Sequence, residues 1–137
     1  MKLLTKNTAY AIRAVIYLAK SKERFISSRQ IAKYERIPLQ FLRRILQILI
    51  KEGIVTSKEG IKGGVRLRPS PGNINLICLI KMFQGNIEFL DCMLRKEMCA
   101  NLRRCALRKR IKQIEKKVIT ELKRITIANL LKDTKGV

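Results

Sequence analysis

The chain has 137 residues, one domain of ordinary size or a small module plus an extension, and at 47% hydrophobic it can bury a core, which excludes wholesale disorder. Its 31 Lys and Arg against 10 Asp and Glu leave a net charge of +21, an excess that points to a polyanionic partner. With no histidine and few carboxylates, no acid–base pair or nucleophile constellation stands out, so an enzyme is not expected.

The polyanion could be nucleic acid or a membrane surface, and the sequence favours the first. Its longest uncharged stretch, Pro69 to Ile80, falls well short of the roughly 18 apolar residues that a span needs. Lys6 and Arg13 interrupt the place where a secretory signal has its apolar region. A cytoplasmic protein with no membrane partner is expected, and in that compartment clustered cysteines more often serve metal or redox chemistry than cross-linking. The charge is not a tail. Residues 1–70 hold 16 Lys and Arg against 4 acids, and residues 71–137 hold 15 against 6.

"TKNTAYAIRAVIYLAKS" reads as a helix with Thr5 as its N-cap and Ala11, Ala14, Val15 and Leu18 at helical spacing. Ile12, Ile16 and Ala19 make a second apolar stripe, so this helix should meet more than one neighbour. Next, Ser27 or Ser28 caps a short helix that turns Ile31 and Ala32 inward and runs to about Glu35. Pro38 should open the first turn of a third helix, with Leu42, Ile45, Leu46 and Leu49 buried and Gly53 ending it. Two helices joined by so short a turn form a helix-turn-helix.

The exposed face of the third helix carries Gln40, Arg43, Arg44, Gln47 and Lys51. Glutamine matches adenine and arginine matches guanine in the major groove, and recognition helices use their N-terminal residues for this. Gln40, Arg43 and Arg44 are therefore the candidate base readers, with Ser28 at the start of the second helix beside them. A solvated polar face is the plainer reading of the same residues. "GIVTSKEGIKGGVRLRPSP" then reads as a basic hairpin, with Ile54 to Ser57 running out and Val65 to Arg68 running back. Gly60, Gly63 and Gly64 allow positive φ at its tip. A basic hairpin straight after a third helix is the wing of a winged helix, and Lys62 and Arg66 are its expected phosphate contacts.

"NINLICLIKMFQG" reads as a fourth helix, with Cys78 as a small core residue beside Ile77 and Ile80. Cys92, Cys99 and Cys105 follow in "CMLRKEMCANLRRC", spaced C-x6-C-x5-C. A zinc knuckle needs a tighter cysteine pair than this chain has. Wider, even spacing suits a loop around an iron–sulfur cluster, whose negative charge Arg95, Lys96, Arg103, Arg104 and Arg108 would balance. Three ordinary thiols before a basic helix fit the spacing equally well. From about Leu102 a long helix carries Leu107, Ile111, Ile114 and Val118 in a narrow seam with a charged exterior, the pattern of a helix that pairs with its own copy. A last segment, "ITIANLLKD", should fold back against the dimer.

The expected fold is mainly α with a small β-hairpin wing: a winged helix-turn-helix over residues 1–70, then a cysteine loop (about 86–105) and dimerisation helix over 71–137, packed as one unit. In this order, from "LTKNTAYAIRAVIYLA" through "GIKGGVRL" to "ITIANLL", the chain resembles the Rrf-two-type bacterial regulators, the family containing IscR, NsrR, RirA and CymR. The resemblance covers essentially the full chain. It implies a homodimer that binds an imperfect inverted repeat of double-stranded DNA and regulates transcription. It further implies an iron–sulfur cluster, [2Fe-2S] ahead of [4Fe-4S], on Cys92, Cys99 and Cys105. Cluster-binding relatives add a fourth ligand, a histidine just after the third cysteine or an acidic or histidine residue of the partner's first helix. This chain has neither: Leu107 and Arg108 stand beyond Cys105, and the first acidic residue is Glu23. The fourth position would fall to Glu88, Asp91, Glu97, Cys78, a solvent molecule or an exogenous thiol. The wing also carries Glu59 where relatives often have a base, so the DNA sequence does not transfer. Two rival readings stay open: a cluster-free regulator using thiol redox, a metabolite or a partner, and a general basic nucleic-acid binder. RNA reading is disfavoured by an aromatic content of only 5%.

Overall fold

The computed structural model describes residues 2–22, 24–90 and 105–135. Helix α1 (Lys6–Lys20) is the hub, packing on the later helices of the helix-turn-helix half and on both ends of the C-terminal half. It can do so because its inward face is small: Ala11, Ala14 and Val15 are fully buried and Leu18 nearly so. The second stripe is used as expected, with Ile12 buried and Ile16 and Ala19 packed at the edge of the core. Thr5 caps the helix, its hydroxyl accepting from the Thr8 N–H at 3.4 Å.

Helix α2 (Ser28–Glu35) starts on Ser27, not Ser28: the Ser27 hydroxyl accepts from the Gln30 N–H at 3.2 Å. Helix α3 (Leu39–Lys51) buries Leu42, Ile45, Leu46 and Leu49, as its spacing predicts. Pro38 stands one residue outside that helix, at its N-cap, rather than in the first turn. There its ring keeps Ile37 out of helical geometry and so helps end α2.

Helices α2 and α3 close with the same backbone device but different residues. At the end of α3, Gly53 takes φ 79° while Ile54 N–H reaches Leu49 C=O at 2.9 Å. At the end of α2, Arg36 takes φ 55° while Ile37 N–H reaches Ala32 C=O at 3.0 Å, and Ile37 is buried beneath. Both are left-handed caps that satisfy late carbonyls. Only glycine adopts this conformation without steric cost, which for another residue is on the order of 1 kcal/mol.

Strands β1 (Val55–Lys58) and β2 (Gly64–Leu67) pair antiparallel, Val55 opposite Leu67 and Lys58 opposite Gly64. A one-residue third strand joins them. Ile26 N–H donates to Val65 C=O at 2.9 Å, and Val65 N–H donates to Ile26 C=O at 2.8 Å. Gly64 makes this approach feasible: with φ 145°, any Cβ there would lie 2.3 Å from the Ile26 oxygen. Of the three hairpin glycines, Gly60 and Gly64 use positive φ, whereas Gly63 is required because a Cβ would lie 2.1 Å from the Lys58 oxygen.

After a 3-10 turn (Pro71–Asn73), α4 (Leu76–Gln84) is capped by Asn75, whose side-chain oxygen accepts from Cys78 N–H at 2.9 Å. Its buried residues are Leu76, Ile77, Leu79 and Ile80. Cys78 is not a core residue. At 100° per residue it falls between the two buried pairs on the outer side, with Lys81, and is exposed.

Helices α5 (Ala106–Arg124) and α6 (Ile127–Lys135) meet at a corner that pairs with the start of α4: Leu76 N–H reaches Ile125 C=O at 2.8 Å, and Ile127 N–H reaches Ile74 C=O at 2.9 Å. Thr126 and Asn129 bond reciprocally at 2.9 and 3.1 Å, which starts α6. Helix α6 folds back on its own chain, against α1 and the 3-10 turn, with Ile127 fully buried.

The two special backbone positions should respond oppositely to substitution. Gly64→Ala should lower stability by about 2–4 kcal/mol, because strain and a backbone clash act together. Arg36→Gly should raise it by about 0.5–1 kcal/mol through relief of the left-handed strain. Urea unfolding midpoints measure both, and an unchanged Gly64→Ala midpoint would show that the Ile26 strand is dispensable.

Candidate nucleic-acid interface

The buried stripe of α3 leaves Gln40, Arg43, Arg44, Gln47 and Lys51 exposed on one continuous surface without an acidic residue. All five were expected on this face from the sequence, with Gln40, Arg43 and Arg44 as its base-contact candidates, and the fold holds them there by burying Leu42 and Leu49 completely. Phe41 and Ile48, two turns apart, are exposed as well, which the polar reading of this face did not anticipate. Ser28 is the half-buried first residue of α2, and the capping duty of Ser27 leaves its neighbour's hydroxyl outside the cap.

On the hairpin, Lys62 lies exposed at the tip beside a fully exposed Ile61. Arg66 is half-buried on β2, its guanidinium carbon 4.5 Å from the centroid of the Phe25 ring. Lys58 Nζ lies 5.7 Å from the same ring. Nothing in the sequence pattern announces this, since Phe25 and Arg66 are brought together only by the Ile26–Val65 pairing.

Helices α1 and α2 are joined at the surface by Arg13 Nε and Glu35 Oε2 at 3.2 Å. With Arg13 side chain 42% exposed, such a pair contributes at most about 1 kcal/mol. Apolar burial of Ile31 and Ala32 therefore positions α2, and the ion pair only trims it.

Cys92 and Cys99 lie outside the described residues. Cys105 is the N-cap of α5, half-buried, its sulfur accepting from the Arg108 N–H at 3.4 Å. The chain leading into the cysteine segment is fastened to the same helix: Phe89 N–H donates to Glu115 Oε2 at 3.3 Å. Glu115, only 8% exposed, also meets Lys112 Nζ at 3.4 Å. Among the described residues no three His, Cys, Asp or Glu side chains could share a metal ion, and two of the three candidate thiols are not among them. Of the expected seam, Leu107 and Ile114 are exposed, while Ile111 and Val118 are half-buried and Val118 packs on the core of its own chain. No helix among the described residues is long and apolar enough to cross a membrane.

The helix and the wing should fail differently on DNA. Arg43→Ala or Arg44→Ala should cost about 1–3 kcal/mol on a preferred duplex and relax its sequence preference. Lys62→Ala should weaken preferred and scrambled duplexes alike and reduce the salt slope by about one unit. Titrations at several salt concentrations separate the two. Equal wild-type binding to both duplexes would reduce α3 to a non-specific basic face.

Comparison with known proteins places this geometry. A family model described as "Rrf2: Iron-dependent Transcriptional regulator" matches residues 4–133. Protein aau3 of Rhizobium meliloti is 30% identical over 130 residues, covering 94% of this chain and 84% of that one. The HTH-type transcriptional regulator NsrR of Shouchella clausii is 33% identical over 94 residues, which are 68% of this chain and 63% of NsrR. Among solved structures, IscR of T. potens superposes with TM-score 0.76 at 24% identity, covering 98% of this chain and 88% of that one. CymR, the global cysteine regulator of B. subtilis, gives TM-score 0.80 at 24% identity, covering 96% and 98%. Both have the same winged-helix fold. With six helices and a two-stranded wing among its described residues, and a family match over nearly its whole length, the chain belongs to the Rrf2 family of transcriptional regulators.

Proposed function

We propose that the chain is a homodimeric, DNA-binding transcriptional regulator whose promoter occupancy follows the state of Cys92, Cys99 and Cys105. The observation that carries the proposal is the acid-free face of α3, presented beside a basic wing in a chain of this family. Gln40, Arg43 and Arg44 read bases, with Ser28 beside them, and Lys62 and Arg66 meet the backbone. A two-fold dimer would pair two such helices with an imperfect inverted repeat.

Three thiolates are a soft donor set that suits iron–sulfur ligation. By family resemblance Cys92, Cys99 and Cys105 would hold such a cluster, [2Fe-2S] ahead of [4Fe-4S], and the cluster would supply sensitivity to iron, oxidants or nitric oxide. What the chain contributes is a mechanical link. Both ends of the cysteine segment are tied to α5, by Glu115 at Phe89 and by the Arg108 N–H at the Cys105 sulfur. A change at the sulfurs therefore acts on the helix that exposes Leu107 and Ile114, the seam through which two copies would set the spacing of their DNA-reading helices.

A second reading keeps the regulator and removes the cluster. Its support is the ligand shortfall: the chain has no histidine, and α1 (Lys6–Lys20) carries no acidic residue. Reversible oxidation of the thiols would then be the signal. The absorption spectrum of protein purified without oxygen decides between the two. Bands between roughly 320 and 450 nm, with iron and acid-labile sulfide, are expected; a colourless, iron-free and DNA-binding protein selects the thiol reading. Alanine at Cys92, Cys99 or Cys105 should abolish the cluster, and alanine at Cys78 should not.

The dimer has its own test. Ile114→Lys places a charge where the partner's apolar seam would bury it, so monomers or insoluble protein are expected. Sedimentation of this variant as a soluble, intact dimer would remove the seam from the interface.

A further inference from the structure

Phe25 has no part in the core or in any role assigned so far, yet two cations share its ring. The sheet explains how. Val55 and Val65 turn into the core, so Lys58 and Arg66, at odd offsets from them, turn to the outer face. Ile26 pairs with Val65, and the residue before it falls beside Arg66 on that same face. The ring then lies 4.5 Å from the Arg66 guanidinium carbon and 5.7 Å from Lys58 Nζ.

An aromatic partner does something that a carboxylate partner cannot. Its quadrupole orients a cation without cancelling the charge, whereas an ion pair would neutralise the cation before any ligand arrived. Two like charges on one small hairpin face also repel, and a common ring offsets that repulsion for both. The result is a fixed, uncompensated pair of positive groups on the wing.

We propose that Phe25 is a positioning residue that holds Arg66 and Lys58 as a two-point site for DNA-backbone phosphates. The proposal rests on the DNA-binding reading above. Long basic side chains lose rotamer freedom when they bind, and a ring that has already ordered them lowers that loss.

The test is a double-mutant cycle on a duplex selected from a random pool by the wild-type protein, with a scrambled duplex as control. Phe25→Leu keeps an apolar body and removes the quadrupole. It should weaken both duplexes about three- to tenfold with the salt slope unchanged, because no phosphate contact is deleted. Phe25→Tyr should bind like wild type. In a Lys58→Gln/Arg66→Gln background, Phe25→Leu should have no further effect. Equal weakening in that background, or wild-type binding by Phe25→Leu, overturns the proposal. Ring-current shifts of the Arg66 side-chain protons in wild-type protein without DNA read the stack itself, so the outcome does not depend on a variant's folding. Should wild-type protein bind no duplex, the DNA reading fails by itself. A persisting ring-current shift would then leave the stack intact and its phosphate role refuted, and a missing shift in a DNA-binding protein refutes the stack alone.

Discussion

The small face of α1 is the constraint on which the rest of the molecule depends. Two alanines and a valine, all fully buried, let α3, α4 and α6 approach one helix from different sides. The helix-turn-helix half and the C-terminal half consequently share a single core, in which Leu42 and Leu49 of α3 belong with Ile80 of α4 and Ile127 of α6. A larger side chain at Ala11 or Ala14 would press on several elements at once, and overpacking of that kind typically costs about 1–3 kcal/mol. The orientation of α3 is thus tied through α1 to α4 and α6 of the C-terminal half.

Electrostatics shapes what this core presents. A chain with net charge +21 must spread like charges over its surface, and such self-repulsion works against the compact state. Two carboxylates serve structure: Glu35 joins α2 to α1, and Glu115 holds the Phe89 backbone to α5. The outer faces of α3 and of the strands β1 and β2 instead carry cations without acids between them. On the wing an aromatic ring takes the orienting role that a carboxylate has elsewhere, which leaves the positive charge available. A protein that binds a phosphate backbone gains from this division, because affinity there scales with the number of uncompensated cations delivered.

Helix α5 collects the remaining tension in the molecule. It carries a half-buried sulfur at its first turn, a buried glutamate in its middle and exposed Leu107 and Ile114 on its side. In the proposed dimer, these exposed apolar residues would form the contact surface of a helix otherwise covered with Lys and Arg. Sulfur chemistry and protomer association would then act on one rigid element, the arrangement that a two-state switch requires.

Much of this was legible in the sequence, because it depends on neighbours along the chain. The stripe of Leu42, Ile45, Leu46 and Leu49, the Thr5 cap, the Gly53 stop and the hairpin register all follow from local periodicity and turn chemistry. So does the order of elements that carries the family resemblance. Other features needed the tertiary structure. Helix α4 has only nine residues, nearly all apolar, so periodicity could not say which face was inward, and packing on α1 and α5 turned Cys78 outward. "ITIANLL" shows an apolar face but not its partner, and backbone pairing with residues 74–76 committed it to its own chain. The strand contributed by Ile26 is one residue long and leaves no pattern at all. It exists because Val65 reaches across from a distant part of the chain, and with it comes the meeting of Phe25, Lys58 and Arg66. Local sequence determines which segments become helices and strands, since those bonds close within a few residues. Which faces meet is decided by long-range packing, where one shared core must satisfy every element at once.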